Sequence, residues 1–212
     1  MRKDLIISTL ITLLIGVLIY VLTLPSILNT ADQYPLLSSF IKFFLLASIG
    51  DIIGYRLQTG TWHRPPKLLA KAIVWGIIGS IIYMIFQIYS EGIRLLQVNN
   101  ILPFAGSKLA FALFVSIIMN YTFAPTMMSV HRMSDTYFNL QKEGMKPSFK
   151  DAVGAIDWSA FYHMTLLRTI PLFWIPAHTI TFLLPEDYRI IFAASLGIIL
   201  GILLRFTDKL KQ

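Results

Sequence analysis

Six apolar stretches, near residues 5–24, 36–55, 68–89, 103–128, 164–184 and 190–204, constrain this chain more than any other feature. A hydrocarbon layer about 30 Å thick is crossed by about 20 helical residues, and most of these stretches reach that length. Inside lipid every backbone polar group needs an internal partner, which leaves helices or closed barrels; uniformly apolar runs without two-residue alternation select helices. With 56% hydrophobic and 14% charged residues, the chain also lacks the polar surface a soluble domain requires. The expected fold is an all-α integral membrane protein, a bundle of about six transmembrane helices forming a single domain over residues 1–212.

The distribution of charge sets an expected topology. An even number of spans places both termini on one side, and thirteen of the 18 Lys and Arg residues then fall on that side. Lys42, Arg94, Lys108 and Arg189 fall opposite, and Arg168 lies within the fifth span. By the positive-inside rule both termini are expected in the cytoplasm. The net charge of +7 is accounted for by the same bias, so nucleic acid is not an expected partner. The first apolar run exceeds a signal-peptide core and no small-residue cleavage site follows it; with no Arg- and Ser-rich leader, the expected location is the cell membrane rather than an organelle.

Small residues recur at four-residue spacing at Gly50/Gly54 and at Ala193/Gly197/Gly201, a flat stripe for close helix contact within one subunit or between copies in a homo-oligomer. The longest polar connection, from Ser129 to His163, contains a helix start: Ser148 caps, Asp151 answers three residues later, and Phe149, Ala152, Val153 and Ile156 recur at helical spacing. This segment is expected either to lie in the interface, with Lys142, Lys146 and Lys150 meeting anionic lipid headgroups, or to pack on the protein as a solvated helix.

Ionisable groups at membrane depth are costly and usually paired. Asp51 and Arg168 stand equally deep from the cytoplasmic ends of their spans and are expected to form an ion pair, near Asn120; the pair either locks two helices or lines a solute path. His178 is expected to be hydrogen-bonded to a neighbouring helix or to relay protons. Pro171 and Pro176 remove backbone donors from the fifth span and predict a bend or a break. His163 and His178 are separated by about 22 Å along one helix and cannot share a metal. No nucleotide loop, nucleophile elbow or metal-ligand spacing occurs, so neither catalysis nor a cofactor is expected.

Three segments in order resemble the Mpv-seventeen family, which includes the twenty-two-kilodalton peroxisomal membrane protein. Gly50-Asp51-Ile52-Ile53 is similar to its Gly-Asp-x-x-x-Gln segment, with Tyr55 where the glutamine stands; Phe123-Ala124-Pro125 is similar to its Phe-x-Pro turn. Trp174-Ile175-Pro176-Ala177-His178, continuing through Phe182, Pro185, Tyr188 and Arg189, resembles its Trp-Pro to Tyr-Arg signature, with His178 and Thr181 replacing glutamine and asparagine. The resemblance implies a channel-like, metabolite-permeable membrane protein with four spans, to which this chain adds an N-terminal one, as a prokaryotic-type member. The expected function is a channel or transporter for small solutes, and the alternative is a structural or assembly protein without transport.

Overall fold

The computed structural model describes the backbone of residues 2–142 and 144–209, and the side chains of residue 7 and of residues 9–141 and 144–199. All regular structure within that range is helical: α1 (Arg2–Leu22), α2 (Pro25–Gln33), α3 (Pro35–Thr59), α4 (Leu68–Val98), α5 (Lys108–Thr122), α6 (Ala124–Lys142), α7 (Phe149–Gly154), α8 (Trp158–Met164), a π-helix (Thr165–Trp174), α9 (Ile175–Leu183) and α10 (Glu186–Lys209). Three continuous helices among the described residues are long and apolar enough to cross a membrane: Pro35–Thr59, Leu68–Val98 and Trp158–Leu183. Two bent pairs raise the number to five if each is one span. The sixth expected span falls in α10, much of whose second half lies outside the described side chains.

Prolines place the bends. Leu24 precedes Pro25 and is forced into extended backbone (ψ 136°), so α1 ends and α2 departs at 63°. Pro125 offers no N–H to the carbonyl four residues back, and α5 and α6 meet there at 48°. The fourth expected span therefore starts later than residue 103, at the Ser107 cap of α5, and turns at the Phe123-Ala124-Pro125 segment. Beyond that turn the expected polar connection is a 19-residue helix, α6. Helix α4 runs nine residues past the expected end at Tyr89; an Arg94–Glu91 pair at 2.7 Å spans its last turns, and Gln97 donates to the Pro103 and Phe104 carbonyls to fasten the chain that follows.

Helices α3 and α4 form the most extensive contact, and glycine makes it possible. A Cβ on Gly79 would stand 2.6 Å from Cβ of the buried Phe43, and one on Gly76 would stand 2.6 Å from the Phe40 ring. The opposite face of α4 carries Leu69, Ile73, Ile77, Ile81, Met84 and Ile88, all exposed, at helical spacing over about 29 Å. Ridge and groove thus fall on one side, and an apolar stripe of bilayer thickness on the other. The expected small-residue stripes behave differently. Gly50 receives Ile198 of α10 at 3.3 Å, but Gly54 and Gly197 face open space, and the surroundings of Gly201 lie outside the described residues.

The capping box at α7 forms as expected: Asp151 N–H donates to Ser148 Oγ at 3.2 Å and Ser148 N–H donates to Asp151 Oδ2 at 2.8 Å. The expected apolar face of this segment divides. Ala152 and Ile156 are buried against the protein, whereas Phe149 is 70% exposed, next to exposed Lys146 and Lys150. The Lys142 side chain lies outside the described residues. Six residues are too few for a full amphipathic stripe, and the packing of α7 on α6 claims one side of it.

Two outcomes follow. Gly79→Ala drives a methyl into the rigid root of buried Phe43 and lowers stability by about 1–3 kcal/mol. Gly76→Ala meets the edge of the half-buried Phe40 ring at 2.6–2.7 Å; the ring can swing aside and the helix-propensity gain of about 1 kcal/mol offsets part of the cost, so the loss is smaller than at Gly79. Thermal unfolding in detergent checks the order; equal losses would refute it. At α7, hydrogen bonds from Ser148, backbone first, hold the Asp151 carboxyl below the usual carboxylate range. A depressed folded-state value means that the box contributes fully at neutral pH and is lost only as pH falls through that lowered value. Hydrogen exchange of the 151–155 amides should stay slow to below the ordinary carboxylate range, and Ser148→Ala should speed it by about 1 kcal/mol of local opening.

Candidate functional site

A buried polar group lies where α5 meets α9. Ser116 and Asn120 sit one turn apart on α5 and both are fully buried. The Asn120 amide nitrogen donates to the Ser116 carbonyl at 2.8 Å, while Ser116 Oγ donates to the Ile175 carbonyl at 2.8 Å across the helix boundary. His178 Nδ1 lies 3.0 Å from the Asn120 amide nitrogen and 3.2 Å from its carbonyl oxygen. Either imidazole tautomer therefore finds a complementary partner, as acceptor or as donor. Trp174 stacks on the imidazole at 5.4 Å and Phe86 meets it edge-on at 5.9 Å. The Trp174 indole N–H is buried without a hydrogen-bond partner.

The backbone beside this pair is irregular. Pro171 does not break the fifth span; it is absorbed in a ten-residue π-helix, at whose end Ile175 N–H donates to the Ile170 carbonyl five residues back. Pro176 follows as the second residue of α9, which continues from the π-helix without a break. Thr179 Oγ1 joins Ser116 at the Ile175 carbonyl, 2.8 Å away. Widened turns of this kind are rare and occur frequently at functional sites.

The expected Asp51–Arg168 ion pair is absent. Arg168 is exposed on the outer side of the π-helix, between exposed Leu167 and Leu172, while Ile170 carries the buried face. Asp51 instead stands near a cluster on α4 and α6. Lys71 Nζ lies 3.2 Å from Asp135 Oδ1, His131 Nε2 lies 3.9 Å from Asp135 Oδ2, and the His131 ring packs on Trp75 at 4.2 Å. The charges of Lys71 and Asp135 reach Asp51, whose Oδ2 is buried without a partner. The expected pairing fails because Arg168 lies on the exposed side of its helix, whereas Ile170 carries the buried one.

Asn120 and His178 thus come together, Asp51 stands near a second cluster, and Arg168 enters neither. Lys71, His131 and Asp135 were missed because α6 reads as a polar linker, although His131 and Asp135 at four-residue spacing are the signal that they share a helix face. Ser116, four residues before Asn120, gives the same signal. His163 is exposed, and no group of three His, Asp or Glu suited to a metal occurs among the described residues.

No family model matches this sequence, and neither the curated proteins nor the solved structures contain a match to it.

A double-mutant cycle tests the site. Asn120→Leu and His178→Leu should each destabilise by about 1–3 kcal/mol, by leaving a buried partner unsatisfied, and the double variant should lose clearly less than the sum. Asp51→Asn and Arg168→Gln should be additive; a coupling between those two would contradict the geometry.

Proposed function

We propose that this chain is a multi-pass membrane protein of the cell membrane, with six spans and both termini cytoplasmic, that passes a small solute. The reading rests chiefly on one observation: a π-helical stretch containing Pro171 leads into His178, which pairs with the fully buried Asn120 beside an indole N–H left without a partner. Buried polar groups with spare hydrogen-bonding capacity on a deformable helix suit a path that polar solute or water enters when the bundle shifts. The bilayer-length apolar stripe on α4 supports the membrane setting, and the likeness of three segments to the Mpv-seventeen family supports a channel-like role. Exposed Phe149 between Lys146 and Lys150 fits a contact with anionic headgroups beside the bundle.

A second reading, a structural protein without transport, is favoured by the glycine-mediated closeness of α3 and α4, which makes a rigid pair. Flux separates the two. Purified protein in liposomes should release small trapped solutes while retaining large dextrans. His178→Leu or Pro171→Ala should lower that flux at least tenfold with the fold intact, and Gly54→Ala, at an open position, should leave it unchanged. Liposomes that hold every trapped solute would reject the path and leave the structural reading.

A further inference from the structure

One concave surface of the molecule gathers positive charge without countercharge. Where the chain enters α4 lies a shallow groove of about 530 Å³, lined by residues 64–70 and Ile73. Pro65 and Pro66 stiffen its wall, and Lys67 takes a left-handed backbone conformation (φ 56°) as the chain turns into the helix. This turn sets Arg64 and Lys67 on the same groove. Both are exposed, and neither makes an ion pair or hydrogen bond with any described residue. Among the described residues no Asp or Glu lines the groove, and Lys71, one turn further along α4, is committed to Asp135 at 3.2 Å.

The rest of the wall is apolar and runs on into the bilayer-facing surface. Leu69 and Ile73, 56% and 43% exposed, belong both to the groove and to the stripe that continues through Ile77, Ile81, Met84 and Ile88. That stripe measures about 29 Å, the thickness of a hydrocarbon layer. In the membrane setting proposed above, Leu69 therefore stands at the edge of the hydrocarbon, and Arg64 and Lys67 stand at the level of the headgroups. The first turn of α4 lines the same groove with no side chain capping it, so its N–H groups add donors there.

We propose that this groove holds an anionic phospholipid, its phosphate between Arg64 and Lys67 and one acyl chain along Leu69, Ile73 and Ile77. A guanidinium and an ammonium together supply charge-assisted donors to a phosphodiester. A free oxyanion uses the two cations but leaves the apolar wall unmatched. A zwitterionic lipid uses the wall but brings its own ammonium towards two cations. A lipid of net negative charge matches both parts of the surface. Arg64 and Lys67 also belong to the thirteen basic residues on the side of the termini, and in the proposed topology that side faces the leaflet richest in anionic lipid. The site rests on the membrane setting and not on the solute path, and it is a different place from the contact at Lys146, Phe149 and Lys150.

The test uses the full-length protein purified in detergent and titrated with phosphatidylglycerol or phosphatidylcholine of the same chains, with bound lipid read by native mass spectrometry. Lys146→Gln with Lys150→Gln is the background throughout, which removes the other basic contact. The first phosphatidylglycerol should bind at least tenfold tighter than phosphatidylcholine, because two basic residues at a charged headgroup contribute about fivefold each. Adding Arg64→Gln and Lys67→Gln, both at exposed positions, should abolish that preference with thermal unfolding unchanged. Arg64→Gln alone should remove about fivefold of it, which decides the matter should the combined variant not fold. Soluble glycerophosphoglycerol, the same headgroup without chains, should not compete at equal concentration; competition would reassign the groove to a soluble anion and overturn the lipid site. Equal binding of the two lipids, or a preference that survives the loss of Arg64 and Lys67, would overturn it as well. Carbonate extraction reads membrane insertion separately: release of the protein overturns the membrane setting and this site together, whereas a retained protein without lipid preference overturns this site alone.

Discussion

The close approach of α3 and α4 at Gly79 and Phe43 is the contact on which the remaining arrangement depends. With no Cβ on Gly79, the buried Phe43 ring lies against the α4 backbone, and Phe43 stacks on Trp75 at 6.5 Å. Trp75 then packs on His131, which draws α6 onto the pair and brings Asp135 to Lys71. Ser80 Oγ donates to the Leu36 carbonyl at 2.8 Å and fixes the register between the two helices. On its other flank α3 offers Gly50 to α10. In lipid, where burying apolar surface between helices gains little over contact with acyl chains, such steric fit and inter-helix hydrogen bonding are what hold a bundle together.

The second half of the bundle is held differently. Between α5 and α9 the contact is polar: Ser116, Asn120 and His178 exchange hydrogen bonds with one another and with the Ile175 carbonyl. The Ile175 carbonyl thereby accepts from Ser116 Oγ of the neighbouring helix and from Thr179 Oγ1 of its own. One half is joined by close packing, whereas the other combines a widened backbone with hydrogen bonds that accept two tautomers.

Charged residues mark where linear reading and three-dimensional placement part. Arg168 and Asp51 sit at comparable depth in their helices, but a helix fixes the angular position of a side chain as firmly as its height. In the fifth span Arg168 falls on the exposed side. Lys42, by contrast, is a buried residue of α3, against which α2 and α10 both pack, an arrangement set by the bend at Pro25 and by the return of the chain nearly 150 residues later.

The sequence alone determined the all-helical architecture and the capping box at α7. Both follow from interactions within a few residues: apolar length, and the reach of Ser148 to Asp151. It also named Asn120 and His178, because polar groups in apolar runs are conspicuous, and it favoured a histidine bonded to a neighbouring helix. The tertiary structure alone decided that these two are partners, that Gly76 and Gly79 rather than Gly54 and Gly197 carry the close contact, that α6 is a helix holding His131 and Asp135 against α4, and that Lys42 is buried. Helical periodicity fixes which residues share a face, but which face meets which neighbour is set by packing between segments far apart in the chain, and no local pattern encodes it.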